Sequence, residues 1–318
     1  MMKYKIKVFF TLVLGVLLIL SGCSNKKQEQ KEMSSNSSKP AFKIVEAGAF
    51  TLKNIRGIGY PGNDSALYIA GNDGLKMYKD KKWYEATTNQ HDYIGFQAVE
   101  SGFIASGHPQ EGTGLEDPLG LIKSDDKGET VQKLAFYNEA NLHFTAASYS
   151  GMGLYIIGEK ESNTISLGVN YSTDKGKTWN KSTFKNFDAD SMGMMAVHPT
   201  DGNTMAMATR SGIYYSTDNG NTMKLITGKM MVTALTFNGD SILFSSVENE
   251  KILLKTLSPL TGEQSTIIIP FLDYDNPITY LAVNPKNKNE MAFTTYNNDL
   301  YNTIDGGKTW NNLLKDGK

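Results

Sequence analysis

Short apolar runs, broken by clusters of Gly, Pro, Asn and Asp, recur along most of this chain and turn over too quickly for helices. Near the C-terminus they read "ITYLAVNP", "EMAFTTY", "DLYNTID" and "TWNNLL". An earlier stretch repeats the order as "MGMMAVHP", "TMAMAT", "GIYYSTD" and "TMKLIT". Runs of this length, rich in β-branched and aromatic residues and bounded by turn formers, predict strands joined by hairpins. Each unit therefore holds four strands.

An octapeptide marks the units. Ser124 opens "SDDKGETV", Ser172 opens "STDKGKTW", Ser216 opens "STDNGNTM" and Thr303 opens "TIDGGKTW". Their aspartates, Asp126, Asp174, Asp218 and Asp305, are spaced by 48, 44 and 87 residues. The last interval is nearly double, which predicts a degenerate copy inside it. "SPLTGEQS" at Ser258–Ser265 keeps the serine and glycine in register but has Leu260 where the aspartate belongs. Upstream, "YKDKKWYE" keeps Asp80 and Trp83 and lacks the glycine. Four strands in units of roughly 45 residues is the arithmetic of a propeller blade. The expectation is an all-β, six-bladed β-propeller over residues 42–318, with seven blades only if "AFKIVEAG" hides another.

The octapeptide falls between the third and fourth strands of its unit. There the Ser and Asp oxygens can accept turn N–H groups, the Gly can take a positive φ, and the Trp can pack on the sheet. Repetition argues against catalysis, because one chain has little use for four copies of a catalytic turn. These copies resemble the Asp-box, or BNR, repeats of bacterial sialidases, sortilin-type receptor ectodomains and photosystem II assembly factors. The second and third units, with "HDYIGFQAVESGFIASGHP", "DPLGLIKSDDKG" and "NLHF", resemble a group of secreted bacterial Asp-box proteins labelled glycosyl hydrolases. That label states a lineage and not an activity, since function belongs to the site.

The sialidase resemblance implies three arginines gripping a substrate carboxylate, a tyrosine nucleophile and an aspartate acid/base. Arginine suits that grip because its planar fork binds a carboxylate bidentately. The chain has two arginines, Arg56 and Arg210, so an arginine triad is excluded. Other glycosidases need only a pair of carboxylates about 5–10 Å apart, a requirement that abundant carboxylates meet by accident.

The first residues change the picture of location. Lys3, Lys5 and Lys7 precede the apolar run "VFFTLVLGVLLIL" and then "LSGC". That order describes an export signal over residues 1–22, and the apolar run is short of the roughly 20 residues of a membrane span. "LSGC" resembles a bacterial lipobox, which implies acylation of Cys23, the only cysteine in the chain. An ordinary signal with a chance cysteine is the alternative. Residues 23–41 are polar, with Met33 their one large apolar side chain, and read as a flexible tether. The expected setting is extracytoplasmic, lipid-anchored to the bacterial cell membrane. A net charge of −1, about −4 without the leader lysines, argues against nucleic acid as a partner. A lone cysteine excludes intrachain disulfides and cysteine-based metal sites.

Propeller geometry then narrows the search. If the octapeptide hairpins occupy one face, the other carries the loops between second and third strands and the entries into the innermost strands. That face collects Arg56, His91 with Asp92, His143, and Arg210 as candidate ligand-binding residues. It also collects the long loop "SGHPQEGTGLEDP" of 106–118, with His108, Glu111, Glu116 and Asp117. Long loops on a rigid scaffold concentrate function. His108 with Glu111, Glu116 or Asp117 forms a candidate acid/base set. His91, His108 and His143 with carboxylates form a candidate shell for a divalent metal. Each histidine also has a structural reading, as a strand-start or turn residue. His198, in "AVHPTDGN", reads as structural, and Met192, Met194, Met195, Met230 and Met231 read as core. The functional expectation is a binding or assembly module for a protein, peptide or glycan. The alternative is a glycoside hydrolase, not a sialidase, with a His/carboxylate site.

Overall fold

In each repeat the turn chemistry folds the third strand back on the fourth, and the shorter Gly, Pro and Asn turns do the same for the other pairs. The computed structural model describes residues 41–318, which form six antiparallel sheets in chain order and no helix, a six-bladed β-propeller. The export signal, Cys23 and the tether up to residue 40 lie outside the described residues.

The first strand of each repeat is innermost. These inner strands are Ile55–Gly59, Asp92–Ala98, Thr145–Ala147, Met195–Val197, Met231–Asn238 and Ile278–Asn284. Each contacts the inner strands of both neighbours, and Ile278–Asn284 returns to Ile55–Gly59, closing the ring. "AFKIVEAG" makes no seventh blade. Its Ile44–Glu46 pairs with Lys82–Ala86 as a fifth, outermost strand of blade one.

Blade one and blade six each keep their own strands, so the ring closes through side-chain and loop contacts. Asn298 is the clasp. Its Oδ1 accepts the Ile55 amide at 3.1 Å and its Nδ2 donates to the Lys53 carbonyl at 2.9 Å. Beside it the Leu52 amide donates to the Gly317 carbonyl at 2.8 Å.

The core lies between blades and not within them. One buried cluster fills each seam, from Tyr68, Tyr93 and Phe103 between blades one and two to Ile58, Ile69 and Leu300 between blades six and one. Period-2 alternation sends successive side chains of a strand into the seams on either side of its sheet, which explains why whole strands such as Leu67–Gly71 are buried. Each such Leu, Ile or Phe contributes about 1.5–3 kcal/mol.

The octapeptide hairpins behave as their chemistry predicts. In the blade-three copy the buried Ser172 Oγ donates to Asp174 Oδ1 at 2.7 Å and accepts the Gly176 amide at 2.9 Å. Asp174 accepts from the Thr178 amide and hydroxyl at 2.9 and 2.7 Å. Those donors hold its pKa down at about 2. The same bonds recur around Asp126 and Asp305. The residue before each glycine, such as Lys175 at φ 64°, also lies in the left-handed region. The degenerate copy turns at the same place, with the Gly262 amide on the Ser258 carbonyl at 2.9 Å. His198 is held from two sides on this face, by Asp240 and by the Asp201 amide, both at 3.1 Å.

Candidate functional site

Four inner strands break their pairing at the same level. In blade one Ile55 pairs with Gly71 and Gly57 with Ala70, which leaves Arg56 as an extra residue. In blade five the register jumps from Val232 to Ala234, leaving Thr233. Blade six skips Thr279, and blade two skips Gly95 and Phe96. A bulge bends its strand and re-aims the extra side chain, and bulges are over-represented beside functional sites. All of these skipped residues line one cavity of about 580 Å³ at the axis. A narrower cavity of about 100 Å³ lies at the exit ends of the inner strands. The two share Phe96, Gln97, Met194, Met195 and Tyr280, which pinch the channel between them.

The wide mouth is cationic. Lys53 and Arg56 line it and no Asp or Glu does. Arg56 Nε and Thr233 Oγ1 are buried without a hydrogen-bond partner among the described residues. Burial raises the Tyr280 pKa, and the nearby Arg56 charge pulls it back. Phe144 and Tyr296, both exposed, stand on the rim. Met192 and Met231, expected in the core, are 43 % and 46 % exposed where the chain enters the inner strands of blades four and five. Entry positions lie at the open end of the ring, where no neighbouring blade covers them.

The loop 106–118 is organised around two histidines with different tasks. His91 is 1 % exposed, and its Nδ1 accepts the Gln110 amide at 2.9 Å. Its ring stands edge-on to Tyr93, and burial lowers its pKa to about 4. His91 therefore pins the loop as a neutral acceptor. His108 lies between Asp117, whose Oδ1 is 2.6 Å from Nδ1, and Asn141, whose Nδ2 is 3.1 Å from Nε2. Both ring nitrogens are engaged, and the third member of the chain is an amide, with no nucleophile. Glu111 and Glu116 are exposed and make no ion pair with His108.

His143 is placed differently. Its Nδ1 lies 2.6 Å from Glu159 Oε2, and it lines both the axial mouth and an open groove beside blade three. The sequence reading passed over Glu159, although it occupies the loop between the second and third strands of blade three. Applying the same register rule to "GEKESNT" finds it. Asp92 opens the inner strand of blade two opposite His108, with one buried oxygen unpartnered among the described residues. Arg210 is exposed in blade four and lines none of these cavities.

The expected metal shell does not form. Among the described residues no three His, Cys, Asp or Glu side chains gather as a metal site. His91 is spent beneath its loop, His108 is held by Asp117 and Asn141, and His143 is held by Glu159, so the three imidazoles do not converge.

A β-propeller with a cationic, bulge-lined axial mouth is the class of protein that fold and site define. No family model and no curated protein matches the chain. Among solved structures it is similar to the GH74 xyloglucanase from Xanthomonas campestris, at 15 % identity and TM-score 0.53, over 86 % of this chain and 47 % of that one. It is also similar to the extracellular domain of BT4673 from B. thetaiotaomicron, at 12 % identity and TM-score 0.51, over 86 % and 35 %. A chain of a nidogen/laminin complex matches at 9 % identity and TM-score 0.52, over 75 % and 89 %. The chain spans about half the length of the GH74 enzymes it matches, or less. These likenesses are likenesses of fold.

Proposed function

We propose that the protein is a non-enzymatic binding module, held outside the cytoplasmic membrane by a lipid on Cys23, that takes a protein, peptide or glycan ligand at the axial mouth. The observation that carries this reading is the set of bulges. Four blades spend an extra residue at one level, and the extra residues, Arg56, Thr233 and Thr279 among them, line a single cavity. Bulges weaken strand pairing, so their coincidence at one cavity points to a ligand. The volume falls within the range of about 300–1,000 Å³ usual for ligand sites. The leader, the lipobox-like "LSGC" and the polar tether supply the anchoring part of the reading, and the octapeptide hairpins fit the Asp-box resemblance.

The test is cross-linking on intact cells, with a photo-reactive residue at Tyr296 on the mouth or at Ile304 on the opposite hairpin face. Capture of a defined partner from Tyr296 and not from Ile304 is expected. Equal capture at both positions, or none from Tyr296, sinks the reading. The anchor is read separately: Cys23→Ser should move the protein from the membrane fraction to the soluble one.

A second reading has one observation in its favour. His143 is oriented by Glu159, and its Nε2 makes no hydrogen bond among the described residues. A carboxylate-oriented imidazole beside a cavity is suited to acid/base work. A hydrolase using this pair would turn over aryl glycosides and lose that activity in His143→Ala. His108, with Glu111, Glu116 or Asp117, is the weaker candidate, because both of its ring nitrogens are occupied.

A further inference from the structure

We propose that the axial mouth recognises the free C-terminal carboxylate of a peptide whose last side chains are apolar. This inference rests on the binding-module reading above and names its ligand.

The first premise is charge. Arg56 and Lys53 face the cavity without a lining carboxylate to neutralise them, while His143 beside them is paired with Glu159. Among the described residues Arg56 enters no ion pair. Its Nε is already stripped of water and lacks an acceptor. A buried guanidinium N–H without an acceptor is unfavourable on its own, and a carboxylate satisfies it with two parallel bonds.

The second premise is the bulge. A regular strand would alternate position 56 with its neighbours and place it in a seam, but the break between Ile55 and Gly57 puts it in the channel. Thr233 and Thr279, the extra residues of blades five and six, stand at the same level, with the Thr279 hydroxyl paired to that of Thr294 at 3.0 Å. Thr233 Oγ1 is the second polar atom there without a partner.

The third premise is the remainder of the lining. Below the cation stand Phe96, Met194, Met195 and Tyr280 with a single amide, Gln97, and above it Phe144 and Tyr296. An acidic sugar brings several hydroxyls that need acceptors, and carboxylates, the strongest side-chain acceptors, are missing from this wall. A peptide end brings one carboxylate and apolar side chains, which aromatic rings and adaptable thioethers cover well.

The experiment is a fluorescence-anisotropy titration of the full chain in detergent. The probes are two labelled hexapeptide pools ending in two residues drawn from Ala, Val, Leu and Phe, one pool with a free carboxylate and the other amidated. Trigalacturonate and inorganic phosphate serve as competitors. The free-acid pool should bind at least about tenfold tighter than the amide, since an Arg–carboxylate contact is worth that factor or more. Arg56→Gln should abolish the difference at an unchanged melting temperature, and Arg56→Lys should restore part of it. Equal binding of acid and amide, or an indifferent Arg56→Gln, overturns the proposal. Arg56-dependent binding of trigalacturonate without peptide binding overturns it in favour of an acidic glycan. Either failure, alongside specific cross-linking from Tyr296, would leave the binding module standing and remove only its peptide ligand.

Discussion

Arg56 and Thr233 hold equivalent positions in blades one and five: each is the extra residue of an inner-strand bulge, and each carries a buried polar atom without a partner among the described residues. An unsatisfied buried hydroxyl costs about 1–3 kcal/mol, and its isosteric removal is neutral or stabilising. Thr233→Val should therefore raise the stability of the ligand-free protein, by about 1 kcal/mol in urea denaturation, while weakening any ligand held at the mouth. A fall in stability would mean that the hydroxyl has a partner, and would remove one of the two groups assigned to the site.

Ser172 shows what a satisfied buried hydroxyl contributes. Its oxygen serves both Asp174 and the Gly176 amide, and it is fully buried. Ser172→Ala strands that amide and should destabilise the protein by about 1–3 kcal/mol. Ser258 opens the copy that lacks the aspartate and is only partly buried. Ser258→Ala should stay within about 0.5 kcal/mol of wild type. Equal losses at the two positions would show that the aspartate plays no part in making these turns costly to break.

The link from His108 to Asp117 and Asn141 spans half-exposed groups. Pairs of this kind contribute about 0–1 kcal/mol. His108→Ala should leave the global melting temperature nearly unchanged and raise amide exchange selectively over residues 109–118. Loss of an enzymatic activity with unaltered loop protection would restore His108 as an acid/base group.

The repeat, the blade count and the hairpin chemistry were legible because they rest on local turn residues that recur, such as Ser172, Asp174 and Gly176. The clustering of loops on one face followed from topology, which is why Arg56 and His143 could be placed on the face where both line the axial cavity. The bulges were not legible. Skipping Thr233 in "MMVTALTFN" leaves a run that still reads as a strand, and nothing local says which residue is extra. Met192 and Met231 were misread for a related reason. Residue type predicts burial only where a neighbouring blade covers the position, and strand entries at the open end are uncovered. The supposed metal shell failed because proximity along the chain said nothing about hydrogen-bond partners such as Asn141 and Glu159, which are distant in sequence from the loop.

Blades one and two approach more closely than any side chain at Gly59 would allow. A Cβ added there would lie 2.5 Å from the Ala98 Cβ, and one at Gly57 would lie 2.9 Å from the Phe96 Cβ. Gly59→Ala should cost about 1–3 kcal/mol through overpacking. The double variant Gly59→Ala with Ala98→Gly should recover part of that loss. Failure to recover would place the strain in the backbone rather than between these two residues.

His91 gives the protein a pH dependence of defined sign. Its folded-state pKa is about 4, below the ordinary imidazole value of 6.5, because burial disfavours the cation. Between these values the unfolded chain binds a proton that the folded one refuses, so stability is complete above pH 6.5 and falls as the pH drops toward 4. The loss reaches about 3 kcal/mol across the whole window. Asp64, Asp126, Asp218 and Glu248 have folded pKa values lowered from ordinary values of 3.8 to 4.5, so their contribution begins to be lost only as the pH falls toward about 5. The interval from pH 6.5 to about 5 therefore separates His91 from them. His91→Gln keeps an acceptor for the Gln110 amide and cannot titrate. Its unfolding free energy, measured by urea titration at half-unit steps, should decline less steeply than that of the wild type over this interval. Parallel slopes would show that His91 is protonated in the folded protein, and the neutral pin assigned to loop 106–118 would have to be abandoned.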